Sequence, residues 1–248
     1  MTTKSRVRSV MGGLAAGVGV AAGAYAAYAG VAWCRYGHVP PSNQDERDEL
    51  LDRFMPVYDV VERHHIRVGA PPAMTLEAAR DQDLLQSALV RAIIKTREMV
   101  LRAAPDDRQQ PRGLMAAVKS LGWGVLADEP DREIVMGAVT QPWEPNVTFR
   151  ALPPHEFAAF SEPGFVKIAW TLRADPIDDG MSVFRTETRA LATDATARAR
   201  FRQYWAFASP GIALIRRLSL NPLKRDAERR ARSGSRWRAG VCRPRHRP

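Results

Sequence analysis

The sequence predicts an α+β fold, one antiparallel sheet whose apolar face is covered by a long C-terminal helix. Three observations predict it. Strand-like segments with hairpin signals between them fill residues 123–191. A helical stripe of Phe201, Trp205, Ala208, Ile212 and Ile215 follows them. One further strand and two helices come before, so the order is strand, two helices, a run of strands, and a long terminal helix.

At the start of the chain, residues 9–34 (SVMGGLAAGVGVAAGAYAAYAGVAWC) carry no charged side chain and lie between Arg8 and Arg35. A spanning helix needs roughly 20 apolar residues, so this run reads as a single transmembrane helix behind the basic flank 1–8. The other reading is a cleaved signal peptide, with Lys4, Arg6 and Arg8 as its basic region. Ala24-Tyr25-Ala26 or Ala27-Tyr28-Ala29 would be its cleavage site, and the product would be secreted or periplasmic. Retention is favoured because the run continues to Trp33, and Tyr25, Tyr28 and Trp33 stand where an aromatic belt would lie. The basic excess before the run predicts a cytoplasmic N-terminus with the domain outside. Gly13-x-x-x-Gly17 and Gly19-x-x-x-Gly23 would permit a weak homodimer through the anchor.

Residues 35–56 are polar, contain Pro40-Pro41, and read as a linker, with a short helical turn at Leu50–Met55. The domain is then expected over 57–228. Tyr58–Val68 reads as a strand with Val60, Glu62, His64, Ile66 and Val68 on one face. Thr75 is placed as the N-cap of a first helix and Ser87 as that of a second. Gly124–Asp128 and Glu133–Thr140 form a hairpin around Pro130-Asp131. Val147–Leu152 is a short strand, and Pro154–Phe160 a helical turn. Gly164–Arg173 and Ser182–Leu191 form the clearest hairpin, joined by residues 174–181. Alternation puts Val166, Ile168, Trp170 and Leu172 on one face with Phe184, Thr186, Thr188 and Ala190, Leu172 standing opposite Phe184. Lys167, Arg173, Arg185, Glu187 and Arg189 fall on the other side, read as a solvent-facing charge ladder. Asp194 caps the long helix, Pro210-Gly211 should kink or interrupt it, and the Arg-rich residues 229–248 read as a disordered tail.

Charge excludes one class. The net charge is +10, but residues 224–248 hold +8 of it and the first eight residues +3, leaving −1 for residues 9–223. A nucleic-acid-binding domain would carry its basic face within the fold, so nucleic acid is not the expected partner. The tail itself could meet anionic headgroups. Cys34 and Cys242 are isolated, and the five histidines form no metal-ligand spacing, so neither a metal nor another cofactor is expected.

The chain resembles the START/Bet v 1-like (SRPBCC) superfamily, and within it the bacterial polyketide cyclase/dehydrase and lipid-transport grouping. The resemblance spans roughly Tyr58 to Glu228. It is carried by His65-Ile66-Arg67-Val68-Gly69-Ala70-Pro71, Gly122-Trp123-Gly124-Val125-Leu126, Gly137-Ala138-Val139 with Trp143, Pro163-Gly164-Phe165, Thr186-Glu187-Thr188-Arg189, and Phe201-Arg202-Gln203-Tyr204-Trp205 with Ile215-Arg216. It implies a helix-grip fold, a curved antiparallel sheet wrapped around the long C-terminal helix, with a hydrophobic cavity between the two. Trp123, Trp143, Phe149, Trp170, Phe184, Trp205 and Phe207 are the candidates to line that cavity, with the Thr186 and Thr188 hydroxyls for a polar ligand group. The same aromatics would equally fill an ordinary core.

Three functions follow as expectations. The first is a membrane-anchored binding protein for a hydrophobic or amphipathic small molecule, a lipid among them. The second is a cyclase- or hydratase-type enzyme using the same cavity, which needs His64, His65 or Glu187 as an acid or base inside it. The third is a structural membrane protein that binds a protein partner. No catalytic residue is assigned, because no nucleophile–base pair is identifiable.

Overall fold

The computed structural model describes residues 19–20, 22–83, 87–102 and 111–241. A helix over 22–35 (α1) leads into a 3-10 turn at Gln44–Glu46 and a short helix α2 (Glu49–Asp52). Next come β1 (Val60–Val68), α3 (Pro72–Asp81), α4 (Ala88–Val100) and α5 (Leu114–Ser120). Then follow β2 (Gly124–Glu129), β3 (Glu133–Thr140), β4 (Phe149–Arg150), α6 (Pro154–Ala159), β5 (Val166–Asp178), β6 (Met181–Ala192) and α7 (Ala195–Val241). The fold is α+β, and every strand pairing is antiparallel, in the order β1-β6-β5-β3-β2 with β4 beside β3. The long C-terminal helix crosses one face, an arrangement consistent with a helix grip.

The β5–β6 hairpin is longer than expected. Both strands run on to a tight turn at Asp179-Gly180, and Phe184 stands opposite Ala174 instead of Leu172. A shift of two residues leaves every side chain on its expected face, because the strand period is two. The inner face therefore carries Trp170, Leu172, Ala174 and Phe184, which pack with Ile134, Met136, Val68 and the α7 residues Leu223 and Ala227. Thr75 is not a cap: it lies inside α3, and its hydroxyl meets Ser182 Oγ at 2.8 Å. Proline supplies the start of that helix instead, with Pro72 at its first position. Gly122 turns the chain from α5 into β2 at φ +100, and a Cβ there would run into the Phe149 carbonyl.

The opposite face is not open to solvent. Of residues 35–56, expected as a linker, the segment 45–56 crosses it as a packed strap. Leu50, Leu51 and Met55 are buried there against Val135, Val139, Ala169 and Phe157 of α6. Lys167 pins α6 by donating to the Ala158 carbonyl at 2.8 Å.

Asp194 caps α7 as expected, accepting from the Thr196 and Ala197 amides at 2.7 and 3.0 Å. The helix then runs through Pro210 and Pro222 without ending. Its buried stripe Phe201, Trp205, Ser209 and Ala213 recurs every fourth residue across Pro210, so packing holds the axis where a backbone rung is lost. Gly211 has a packing reason, since Ile93 of α4 lies 3.0 Å from where its Cβ would be. α7 is helical to Val241.

Among the described residues no helix is long and apolar enough to cross a membrane. Residues 9–18 of the expected anchor, with Gly13 and Gly17, lie outside the described residues, as do residues 242–248 of the tail. Of the aromatic residues expected in a membrane belt, Tyr25 and Trp33 meet α7. Tyr25 donates to the Phe207 carbonyl, and the Arg202 guanidinium sits 4.3 Å from the Trp33 ring centroid. Tyr36, at the end of α1, is buried against Phe201, and its hydroxyl donates to Asp59 at 3.2 Å.

Candidate functional site

Strands β1 and β6 pair with Glu62 opposite Thr188 and His64 opposite Thr186. Strand alternation therefore sends these four side chains to the inner face, beneath α7. Trp170 of β5 stands opposite Thr188 on the same face. From above, α7 lowers Arg216 onto them. Its Nη1 donates to Thr186 Oγ1 at 2.6 Å, its Nη2 donates to Thr188 Oγ1, and its guanidinium carbon lies 5.9 Å from the Trp170 ring centroid. Tyr28 of α1 closes the group beside Glu62.

Electrostatics here follow from burial. Burial pushes the Arg216 guanidinium down to about 10, against the pull of the Glu62 carboxylate, so it stays charged at neutral pH. Burial pushes Glu62 up, opposed by the charges of Arg216 and Arg217. His64 is pushed down to about 4, first by burial and then by the same two arginines, so its imidazole is neutral at pH 7. Its Nε2 has no hydrogen-bond partner and lies 3.6 Å from the Glu62 carboxylate. A guanidinium has five N–H donors in a planar fork, and the two threonines occupy two of its bonds. In a low-dielectric setting it is suited to a carboxylate, phosphate or polarised carbonyl.

The expected cavity residues fall into three places. Trp170, Phe184, Thr186 and Thr188 share the inner face with Arg216, and Trp123 extends them, 6.0 Å from Trp170 and 4.8 Å from Phe149. Trp143 and Trp205 belong to a separate core group with Tyr36, Val60, Val166 and Phe201. Phe207 lies against Tyr25, ring centroids 6.3 Å apart.

Of the three acid–base candidates, only His64 faces this site. His65 is exposed on the other face. Glu187 is also on that face but is buried, not in a solvent ladder: Arg63 and Arg189 hold it at 2.9 and 2.6 Å. Arg189 reaches on to Asp52 at 2.5 Å and to the Met55 carbonyl at 2.7 Å, so this network ties the strap to the sheet. A second network beside it joins Arg173, Asp175 and Arg185 to Asp48 and Glu133. A cavity of about 20 Å³ between the two networks holds no more than one water. A hollow of about 440 Å³, lined by Val39, Pro40, Pro41, Arg47 and Tyr58, lies at the strap's edge. Neither is under α7.

Glu62 and Arg216 were missed as site residues. The signal for Glu62 was present: a carboxylate alternating with Val60, Ile66 and Val68 is an acid on an apolar strand face, and such a group is buried for a reason. Among the described residues no group of His, Cys, Asp or Glu could hold a metal ion.

No family model and no curated protein matches the chain. Among solved structures it is similar to a hypothetical protein from Helicobacter pylori, at 9% identity over 76% of this chain and 98% of that one, with a TM-score of 0.36. It is also similar to CalU16 from Micromonospora echinospora, at 11% identity over 70% and 97% of the two chains, TM-score 0.24. A third is the Zhui aromatase/cyclase from Streptomyces sp. R1128, at 14% identity over 69% and 94%, TM-score 0.22.

Proposed function

We propose that the chain is a binding protein for an amphipathic small molecule. The apolar body of the ligand enters between the sheet and α7 against Trp170 and Phe184 as α7 moves off the sheet, since neither cavity lies beneath that helix, and its anionic or carbonyl head meets Arg216. One observation carries this reading: a charged guanidinium held beneath a helix by two threonine hydroxyls, beside Glu62 and His64 and bordering the apolar patch of Trp170 and Phe184 on the inner face. Buried charges are costly, and where they persist they have a partner.

The test uses the full chain with a fluorescent fatty acid and its methyl ester. The carboxylate should bind at least about tenfold tighter than the ester, the worth of one charge-assisted hydrogen bond. Arg216→Leu should erase that preference. Equal affinity for acid and ester in the unaltered chain would overturn the reading.

A second reading is favoured by His64. It is a neutral imidazole with an unpartnered Nε2 beside Glu62, which suits a general base in a cyclase- or hydratase-type reaction on the same ligand. His64→Ala separates the two readings, since it should leave fatty-acid binding intact and abolish any turnover.

A further inference from the structure

Helix α4 is poorly covered for its composition. It meets α7 through Ile93, seated at Gly211, and buries Val90. On its outward side Leu89 is 49% exposed, Val100 50% and Met99 74%. At 100° per residue these three share one arc with Ala88, Ala92 and Thr96, and no charged residue interrupts it. The neighbouring strip of the same helix is Arg91 and Lys95. Residues 88–102 hold four basic residues and one acid, Glu98.

The exposed apolar surface continues onto α7. Leu214 and Leu218 are both exposed and follow Gly211 on one stripe of that helix. Tyr25 of α1 reaches the same stripe at Phe207, one turn before α4 does. The end of α1 and helix α4 therefore meet α7 side by side, at Phe207 and Gly211.

We infer that this face lies on a bilayer surface containing anionic lipid, with α4 in the interfacial plane. An apolar arc bordered by Lys and Arg is the pattern of a helix that buries its apolar side at the headgroup boundary and pairs its basic edge with acidic headgroups. Charge complementarity selects the bilayer over a second copy of the chain, whose own α4 would bring the same basic strip against this one. This inference is independent of the ligand reading.

An environment-sensitive fluorophore tests it on the full chain, with Cys34→Ser and Cys242→Ser as background. A label at Met99→Cys should brighten and shift to the blue with phosphatidylserine-containing vesicles. A label at His155→Cys, an exposed position on α6 across the sheet, should not respond. Lys95→Gln should weaken the Met99 response about fivefold, the worth of one basic residue at an anionic surface. A silent Met99 label while the chain still sediments with vesicles would overturn the inference. A Met99 shift that depends on protein concentration without vesicles would also overturn it, in favour of a second copy.

Discussion

Glu187 stands between two guanidiniums with almost no solvent, and its value lies in that geometry rather than in chemistry. Glu187→Ala leaves Arg63 and Arg189 buried with fewer partners and should cost about 3–5 kcal/mol, read from urea denaturation. A loss below 1 kcal/mol would mean that the network is not holding the strap. Which residues face inward was legible in the sequence, because alternation along β5 and β6 settles the face of Thr186, Thr188 and Glu187 even when the register is two residues off. What surrounds each face was not. Glu187 read as solvent-exposed because nothing in its own strand announces the strap above it. Arg216 was illegible for a related reason: a position on a helix has no face until the packing of that helix fixes its rotation.

At the level of elements, the strap is the largest departure from expectation. Its composition is polar and proline-containing, and its apolar anchors Leu50, Leu51 and Met55 sit on too short a turn for periodicity to register. Leu51 is fully buried against the sheet, so Leu51→Ala should destabilise the fold by about 2–5 kcal/mol, as deletion of a core side chain does elsewhere. Thermal unfolding measures it, and a shift no larger than that of an exposed leucine such as Leu218 would show the strap to be ornamental. The hairpins fared better as expectations. A tight turn between two alternating runs is a local signal, and β2–β3 appears where Pro130-Asp131 marked it.

For the whole molecule, two buried groups set opposite pH dependences. Burial, reinforced by Asp48, pushes the Glu133 carboxyl up to about 9 from its ordinary 4.5. The folded chain keeps a proton that the unfolded chain gives up, so stability falls as pH rises from 4.5 to 9, by at most about 1.4 kcal/mol per unit. His64 is held down at about 4 against an ordinary 6.5, so the unfolded chain gains a proton that the folded chain refuses. Stability therefore also falls as pH drops from 6.5 to 4. The two slopes oppose each other between 4.5 and 6.5, giving a plateau there and a decline on either side. Glu133→Gln should remove the alkaline decline and leave the acid one, which denaturation midpoints across the range would record. Parallel curves for the two proteins would refute the assignment. The strap has one more consequence, for the order in which the ribosome delivers the chain. Asp52 emerges early, yet Arg189 follows 137 residues behind it. Leu51 and Met55 likewise leave the tunnel long before β3 and β5 exist to receive them. The strap is made before its partners and is among the last segments to find its place, and closing so long a loop is a slow, entropically opposed step. The nascent chain therefore carries Leu50, Leu51 and Met55 without their partners until β3 and β5 have been made.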